Sequence, residues 1–279
     1  MKKLIALLLT IVLLTFSLAS CGNETDKDAV KVVDIPLTEE EYAFCVAPGN
    51  TELLETVNAF LKQSKENGVF DTSVNNYFGD GTPVGYEMGT VGDRSKQLVV
   101  ATNTPFEPFE YTEGNKYYGI DIEFMAALAA DMGKELVILE MSFDAIFSSV
   151  EAGYADIGAA GITYDESRTS VTFTDTYYKA SQMLIVKADD TTFDNCKTAE
   201  DVFAILSAMG ADKKVGAQNG TTGQLFMEGN EDFGYEGFAL TVVGHVSGAQ
   251  AVQDMINGNI DFVILDEGPA KSIVKAINE

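Results

Sequence analysis

The stretch LVVATNTPFEPFEYTEGNKYYGIDIEFMAALAADMGKELVIL, residues 98–139, decides the fold class. Leu98–Ala101 is an apolar run that predicts a buried strand, and Leu136–Leu139 is a second such run. Between them, apolar residues recur at helical spacing over Ile122–Met132, and Gly133 is typical of a helix end. The order strand, helix, strand predicts an α/β fold with largely parallel sheets.

The same alternation continues along the chain and contains a repeat. Val150–Ile157 and Met255–Phe262 share one pattern: an apolar residue, two residues, glycine, two residues, aspartate and an apolar residue. Each copy predicts the end of a helix, a glycine cap and the start of a strand. Two similar α/β lobes with a cleft between them are the simplest architecture that this repeat predicts.

The first part of the chain has a different pattern. Val30–Ile35 and Tyr42–Ala47 predict two short strands. A long helix is predicted to begin at Asn50 or Thr51, either of which is a good N-cap, and to end at Gly68.

The N-terminus predicts the compartment. Two lysines precede an apolar run at Leu4–Leu18, which is too short for a comfortable membrane span and is typical of a signal peptide. The run ends in Leu18–Cys21, which resembles a bacterial lipobox; an ordinary secretory signal is the alternative. We predict a lipoprotein signal peptide at residues 1–20 and a tether at 21–29 lipidated on Cys21. The protein is then extracytoplasmic and attached to the cell membrane through lipid only.

Composition excludes several classes of partner. A formal net charge of −25 repels nucleic acid and anionic headgroups, so neither is expected to bind. One histidine, with no CxxC or HExxH pattern, leaves no metal site, and no cofactor is expected. Cys45 and Cys196 are expected to be buried free thiols; a disulfide is the alternative.

Arginine is the most informative residue type, because only Arg94 and Arg168 occur. Arg168 ends the segment Ala160–Arg168, which follows a predicted strand and is expected to open into a helical turn. A guanidinium beside free backbone N–H groups can clamp a carboxylate in a bidentate manner. A surface arginine paired with Asp165 or Glu166 is the alternative.

Other candidates also follow predicted strands. Gln218–Gly223 precedes a helical stretch, so the Thr222 N–H is a candidate carboxylate donor; an ordinary glycine-rich turn is the alternative. Asp266 ends a strand, where a carboxylate can meet a ligand ammonium or merely cap a helix. Phe106 and Phe143 are candidate aromatic walls of the cleft, with plain core packing as the alternative.

These motifs together resemble a known family. Residues 98–278 resemble the polar amino-acid family of ABC-transporter solute-binding proteins, which have a two-lobed type II periplasmic-binding-protein fold with two hinge strands. The resemblance is carried by Val99–Asn103, Phe106, Pro108, Phe109, Tyr118–Ile122, Ala160–Thr163 through Arg168, Phe173, Thr174, Tyr177, Tyr178, Gly220–Thr222, Asp266 and Glu267.

The resemblance implies a site for the backbone groups of a free amino acid. Arg168 would clamp the α-carboxylate, aided by the backbone N–H groups of Thr163 and Thr222. The Gly161 carbonyl, the Thr163 hydroxyl and Asp266 would bind the α-ammonium.

It also implies which residues contact the ligand side chain. Phe106 and Phe143 would sandwich it, while Asn103 and Gln218 would set its preference. Family members that bind lysine or arginine tend to have an acid at the position of Asn103. We therefore expect a neutral ligand, polar rather than apolar.

The order of the chain differs from the usual family order. A segment resembling Val30–Phe78 normally comes last and here comes first, which predicts a circular permutation. Residues 79–96, rich in glycine and without periodicity, would be the linker that joins the family's usual ends. The alternatives are a piece of a tandem array and a segment exchanged between neighbouring molecules; we expect a monomer.

The resemblance also implies the domain boundaries. One lobe would span 43–175, including the linker, and the other would combine 30–37 with 181–279. The hinges would be 38–42 and 176–180.

The implied function is capture of an amino acid by hinge closure and its delivery to the permease of an ABC importer. The alternatives are a ligand-sensing module for a signalling partner and a dehydratase-like enzyme, for which Glu107 or Glu267 would be the acid. We expect that the protein is not an enzyme.

Overall fold

The computed structural model describes residues 28–279, so the predicted signal peptide and Cys21 lie outside the described residues. The strands are β1 (Val30–Val33), β2 (Glu40–Tyr42), β3 (Cys45–Val46), β4 (Tyr86–Glu87), β5 (Gln97–Thr102), β6 (Tyr111–Glu113), β7 (Lys116–Tyr118), β8 (Glu135–Glu140), β9 (Ile157–Gly158), β10 (Thr172–Phe173), β11 (Tyr178–Ala180), β12 (Gln182–Lys187), β13 (Lys214–Gln218), β14 (Thr241–His245) and β15 (Phe262–Asp266). The helices are α1 (Thr51–Asn67), α2 (Val69–Phe78), α3 (Ile120–Asp131), α4 (Phe143–Glu151), α5 (Ala199–Ser207), α6 (Thr222–Glu228), α7 (Gly248–Ile256) and α8 (Glu267–Asn278), with a short 3₁₀ helix at Arg94–Lys96.

Two five-stranded sheets form the centres of the molecule. One has the strand order β10-β3-β9-β5-β8, and we refer to the part built on it as the first lobe; the other has the order β1-β12-β15-β13-β14 and forms the second lobe. The α/β class predicted from sequence is confirmed. In each sheet one strand, β3 or β12, runs against the other four.

The prediction of largely parallel sheets is therefore wrong for half of the strand pairs. β3 follows β2 and β12 follows β11, and these two preceding strands pair with each other between the lobes. A chain that arrives from between the lobes enters each sheet from the side at which the carboxyl ends of the parallel strands lie. It must then run in the opposite direction, which explains the one antiparallel strand in each sheet.

The chain crosses between the lobes twice. β2 connects β1 of the second lobe to β3 of the first, and β11 connects β10 of the first lobe to β12 of the second. The two crossing strands pair antiparallel, with Tyr178 opposite Tyr42 and Ala180 opposite Glu40. The rings of Tyr42 and Tyr178 stack at 5.9 Å between centroids, so the crossing is stiffened by aromatic packing.

The sequence repeat forms the same local structure in both lobes. α4 and α7 both end just before a glycine with positive φ, 75° at Gly153 and 80° at Gly258. A left-handed residue at this place satisfies the last carbonyls of a helix and is costly for any residue except glycine. Each helix can therefore stop within one turn and lead directly into β9 or β15.

The aspartate of each repeat ties its strand to the start of a parallel neighbour. Asp156 accepts a hydrogen bond from the Val99 N–H at 2.8 Å, and Asp261 accepts one from the Lys214 N–H at 2.8 Å. Each carboxylate also accepts from a basic side chain, at 2.6 and 2.8 Å respectively, namely Arg94 and Lys213.

The first part of the chain completes both lobes. The predicted strand Tyr42–Ala47 is two strands, because β2 lies between the lobes and β3 lies inside the first-lobe sheet. β1 forms the edge of the second-lobe sheet. Asn50 caps α1 with a side-chain acceptor, and Gly68 ends it at φ 80°, as the sequence predicts.

Two predicted segments differ from the structure. Residues 79–96 are not a plain linker, since β4 within them pairs with β7 and the Val84 N–H donates to Glu123 at 2.8 Å. The strand predicted to begin at Ile157 extends only to Gly158, and the residues after it turn through the positive φ of Gly161.

The interior is apolar and rich in aromatic residues. Phe44 stacks on Tyr177 at 4.3 Å and on Phe124 at 4.9 Å between ring centroids. Cys45 and Cys196 are free thiols, the first buried and the second partly exposed. Among residues 28–279, no helix is both long and apolar enough to span a membrane.

Candidate functional site

A small cavity lies where the carboxyl ends of the parallel strands of both lobes meet. Loops that follow parallel strands are the usual place for ligand-binding residues in α/β proteins. The predicted residues that line it are Asn103, Phe106, Phe143, Gly161, Thr163, Gln218, Thr222 and Asp266, and Glu110, Ala160 and Thr221 complete the lining. The structure thus brings together every predicted ligand-binding residue except Arg168.

The cavity is very small. Its volume is about 10 Å³, which is room for about one water molecule. Two direct side-chain hydrogen bonds join the lobes across it, one from Gln218 to Asn103 at 2.8 Å and one from Thr222 to Thr163 at 2.9 Å. The candidate binding residues therefore contact each other in this conformation.

Asn103 follows β5 and is fully engaged. Its Nδ2 donates to the Met141 carbonyl at 2.6 Å, and its Oδ1 accepts from Gln218 Nε2. Because a carbonyl can only accept, Met141 fixes the orientation of the Asn103 amide, which in turn fixes that of Gln218. Gln218 Oε1 is buried and has no hydrogen-bond donor among the described residues.

Gly161 and Thr163 form the strand-end segment of the first lobe. The Gly161 N–H donates to Asp121 at 3.0 Å, and Gly161 has φ 52°. A Cβ at this position would lie 2.5 Å from Phe106 Cε1, so glycine is required both by the backbone and by the adjacent ring. The Thr163 hydroxyl donates to Glu40 at 2.8 Å.

Asp266 ends β15 and precedes α8, but its side chain makes no helix-capping bond. It accepts a hydrogen bond from the Tyr42 hydroxyl at 2.6 Å inside the cleft. Burial raises the pKa of Asp266 to about 7, and the carboxylate of Glu40 adds to the shift. A buried carboxyl in this state is poised to ionise when a positive group arrives.

Arg168 lies beside the cavity instead of lining it. The segment after Thr163 forms turns and no helix, so the predicted helical turn is absent. Arg168 Nη2 donates weakly to the Gly220 carbonyl of the second lobe at 3.4 Å, and its Nε is buried without an acceptor among the described residues.

Two aromatic rings hold the Arg168 guanidinium. Its Cζ lies 4.5 Å from the ring centre of Phe147 and 5.3 Å from that of Phe233, one ring from each lobe. Burial lowers the pKa of Arg168, and nearby Asp165 opposes that shift. The alternative of an exposed surface ion pair does not fit this position, because Arg168 forms no salt bridge among those found in residues 28–279.

The two predicted aromatic walls are in the first lobe. Phe106 is buried and pairs in a bridge with Glu110, and Phe143 begins α4 with its side chain buried against the cavity. The rings of Phe143 and Phe147 meet edge to face at 5.5 Å. Phe147 therefore connects the apolar lining of the cavity to the guanidinium of Arg168.

Sequence reasoning missed two buried acids, Glu110 in the cavity lining and Glu40, which bonds the lining residue Thr163. Glu40 belongs to β2 and is buried, with its carboxylate hydrogen-bonded to three side chains. Glu110 lines the cavity and is wholly buried. A signal was present in the sequence, since Glu110 directly follows the apolar Pro108-Phe109 pair, where a buried chain is expected.

The arrangement fits binding better than covalent chemistry. Burial raises the pKa of the Cys45 thiol to about 12, so it does not form a nucleophilic thiolate. In the described part of the chain, no group of three or more His, Cys, Asp and Glu side chains could hold a metal ion. The cleft instead offers hydrogen-bond acceptors, an arginine and two aromatic rings.

Comparison with known proteins identifies a matching family. The family "Bacterial extracellular solute-binding proteins, family 3" matches residues 98–266, more than half of the chain. The arginine-binding extracellular protein ArtP of Bacillus subtilis is 34% identical over 95 residues, which are 34% of this chain and 37% of that protein. A probable histidine-binding protein of Campylobacter jejuni is 25% identical over 178 residues, covering 63% of this chain and 62% of its own length.

Solved structures agree with these matches. The crystal structure of the ancestral amino acid-binding protein AncCDT-1, a precursor of cyclohexadienyl dehydratase, superposes with a TM-score of 0.56 at 26% identity. The superposition covers 66% of this chain and 76% of that protein. The chain spans less than two thirds of the length of the two sequence relatives named above.

Proposed function

The chain belongs to the bacterial extracellular solute-binding proteins, family 3, and we propose that it captures a free amino acid in the cleft between its two lobes. The observation that carries this proposal is the convergence of strand-end residues from both lobes on one cavity. Buried Asp266 at one side and the guanidinium of Arg168 beside it supply opposite charges for a zwitterion.

The α-carboxylate would bind at Arg168 and the backbone N–H groups of Thr163 and Thr222. Thr222 is the first residue of α6, where free N–H groups favour an anion, and Arg168 already reaches across to Gly220. The α-ammonium would bind Asp266, the Thr163 hydroxyl and the Gly161 carbonyl. In this arrangement each lobe contributes to both ends of the zwitterion.

Ligand entry requires the lobes to move apart. Ligand pockets usually have volumes of roughly 300 Å³ or more, and the closed cavity is far smaller. The bonds from Gln218 to Asn103 and from Thr222 to Thr163 must open, and the paired crossing strands β2 and β11 are the natural hinge. The lobes would be residues 43–175 and residues 30–37 with 181–279, moving about hinges at 38–42 and 176–180.

The preference for a neutral, polar ligand rests on Asn103 and stays a prediction. The Asn103 amide has both of its groups engaged by Met141 and Gln218, which weakens its role in reading a ligand side chain. Relatives named for binding arginine and histidine support amino acids as the ligand class. The buried carboxyl of Glu110 favours a charged side chain over a neutral one.

Membership of this family favours transport as the purpose of ligand capture. We infer that the protein works outside the cytoplasm as a monomer, anchored through Cys21, and delivers its ligand to the permease of an ABC importer. The sequence Leu18–Cys21 supports the anchor. A membrane fraction that retains the wild-type protein and loses a Cys21→Ala variant would support this; equal retention of both would exclude the anchor.

The chain order supports a circular permutation as the origin of this fold. The family match begins at residue 98, yet β1 and β3 from the earlier region complete the two sheets. A segment exchanged between molecules would make a dimer, so a monomeric mass in solution supports the permuted monomer. A dimer that separates into unfolded chains would favour the exchange.

A sensory module for a signalling partner and a dehydratase-like enzyme are the other candidates. The AncCDT-1 comparison bears on the second, although that protein is itself described as amino acid-binding. Glu107 is exposed and Glu267 begins α8, and neither lines the cavity, so neither is placed to act as a catalytic acid there.

A thermal-shift screen against the twenty amino acids tests the proposal. Ligand at a hundred times its Kd should add about 2.7 kcal/mol to the free energy of unfolding, enough to raise the Tm by several degrees. The expected result is a shift with one amino acid or a few related ones. A cooperatively unfolding sample that shifts with none of them would overturn amino-acid capture.

A further inference from the structure

Glu110 is a buried acid in the cavity wall that has no hydrogen-bond partner within residues 28–279. Its side chain is 0% exposed, and neither of its carboxylate oxygens has a hydrogen-bond donor among the described residues. Leaving a carboxyl group in this state is costly, because its lost hydration is not replaced. A partner for such a group is therefore expected from outside residues 28–279.

The other acids around the cleft are already bonded. Asp121 accepts from the Tyr177 hydroxyl at 2.7 Å, Asp266 accepts from the Tyr42 hydroxyl at 2.6 Å, and three side chains donate to Glu40. A zwitterionic ligand would bring one ammonium, which Asp266 is placed to bind. With a neutral ligand side chain, Glu110 meets no cation and stays a buried acid without a partner among the described residues, so the cleft has one more acid than such a ligand needs.

Among the described residues, the buried side-chain atoms of the cavity lining that lack a hydrogen-bond partner are all acceptors when Glu110 is ionised. Besides the two oxygens of Glu110, the only such atom of the lining within residues 28–279 is Gln218 Oε1, whose orientation is fixed through Asn103 and the Met141 carbonyl. A side chain that fits them must donate several hydrogen bonds and accept none. A guanidinium has five N–H donors in a planar fork that matches a carboxylate, and no acceptor.

We propose that the cleft takes an amino acid with a positively charged side chain, best a guanidinium, and that Glu110 binds this charge, assisted by Gln218 Oε1. The proposal rests on the proposed capture of an amino acid in this cleft and adds the chemical class of its side chain. This proposal replaces the expectation of a neutral ligand, which was based on Asn103 alone. Phe106, which also lines the cavity, supplies an apolar and aromatic surface for the stem of such a side chain.

Isothermal titration of the protein with L-arginine, L-lysine and L-glutamine tests the proposal. Arginine should bind about 100-fold more tightly than glutamine, with lysine between them. Glu110→Gln should lose about 100-fold for arginine and less than about fivefold for glutamine, since it removes the charge and preserves the shape. Glu107→Gln is the matched control: it changes an exposed carboxyl three residues away and should leave all three affinities unchanged.

A second readout uses the wild-type protein and is independent of how the variant folds. Burial raises the pKa of Glu110 well above its usual value, with Asp121 and Asp266 adding to the shift, so binding a cation should release its proton. Titrations near pH 7 in buffers of different ionisation enthalpy should show about one more proton released with arginine than with glutamine.

The outcomes separate this inference from the function on which it rests. Binding of a neutral amino acid with no binding of arginine, an unchanged ratio of arginine to glutamine affinity in Glu110→Gln, or equal proton release with both ligands would each overturn the role of Glu110. Amino-acid capture would stand in all three cases. Absence of binding by every amino acid would overturn both.

Discussion

The two lobes share a frame, by which we mean the five-stranded sheet and the helix–glycine–strand repeat of each lobe. They present different residues to the cleft. Each sheet has one strand that runs against the other four, and each sequence repeat ends a helix at a positive-φ glycine. At the cleft, however, the first lobe supplies both aromatic walls and Glu110, whereas the second supplies Gln218, Thr222 and Asp266. The frame repeats because both lobes need the same connections, whereas the residues at the cleft differ because each lobe supplies different groups to the proposed ligand.

The two arginines give the largest expected contrast between cleft and frame. Arg168→Ala should weaken amino-acid binding by about 1000-fold, because it removes the cation proposed to clamp the α-carboxylate. Calorimetric titration with the ligand found in the thermal-shift screen measures this loss.

Arg94→Ala is the matched control, since Arg94 bonds Asp156 and the Tyr154 carbonyl on the frame of the first lobe. It should leave affinity within about twofold and lower stability by about 1 kcal/mol. Near-normal affinity in a folded Arg168→Ala protein would remove the carboxylate clamp from this account.

The pH dependence of stability should separate the buried cleft acids from the frame. Burial raises the pKa of Asp121 and of Asp266 to about 7, from an ordinary value of 3.8. The folded protein therefore holds protons that the unfolded chain has lost between about pH 4 and pH 7, so stability falls as pH rises through that window. Without ligand, the two groups together should cost about 5 kcal/mol of unfolding free energy from pH 5 to pH 7.5, which lowers the Tm by roughly 10 °C or more.

Ligand should reverse this trend. Because its α-ammonium is proposed to pair with ionised Asp266, the rise in Tm caused by saturating ligand should grow between pH 5 and pH 7.5. Thermal melts with and without ligand across this range measure it. A ligand-induced shift that is constant or shrinks with rising pH would mean that the ammonium binds elsewhere.

Substitution of Asp156 or Asp261, the aspartates of the sequence repeat, should have only a small effect on stability. The effects in the two lobes should be nearly equal. Asp156→Ala and Asp261→Ala each remove an acceptor for a strand N–H and for a basic side chain. Each should cost about 1–2 kcal/mol of unfolding free energy in urea titrations, with binding unchanged. The Asn variants should recover part of the loss, because an amide oxygen can still accept from the N–H. A cost in one lobe and none in the other would show that the frames are not equivalent.

Local patterns predicted the frame well. Leu98–Ala101, the helix over Ile122–Met132 and the repeat glycines Gly153 and Gly258 appear as the sequence indicates, because strand and helix periods and left-handed caps are properties of neighbouring residues. Strand direction was mispredicted, because it depends on the side from which the chain enters a sheet. The split of Tyr42–Ala47 between two sheets is likewise a tertiary effect.

The sequence predicted most of the residues that line the cavity, but it did not predict Glu110. Asn103, Gln218 and Asp266 line one cavity because each lies at the end of a strand, but the hydrogen bond from Gln218 to Asn103 depends on closure of the lobes. Glu110 shares the cavity lining with Asp266, which lies more than a hundred positions away along the chain, and no local pattern contains such a proximity.

Hydrogen–deuterium exchange with and without the bound amino acid tests the central claim most directly, namely that both lobes bind one ligand. Saturating ligand should slow exchange in the two strand-end segments, residues 160–168 of the first lobe and residues 218–223 of the second. The frame around Asp156 and Asp261 should change little. Protection confined to one lobe, or absent from both segments, would contradict capture of an amino acid between the lobes.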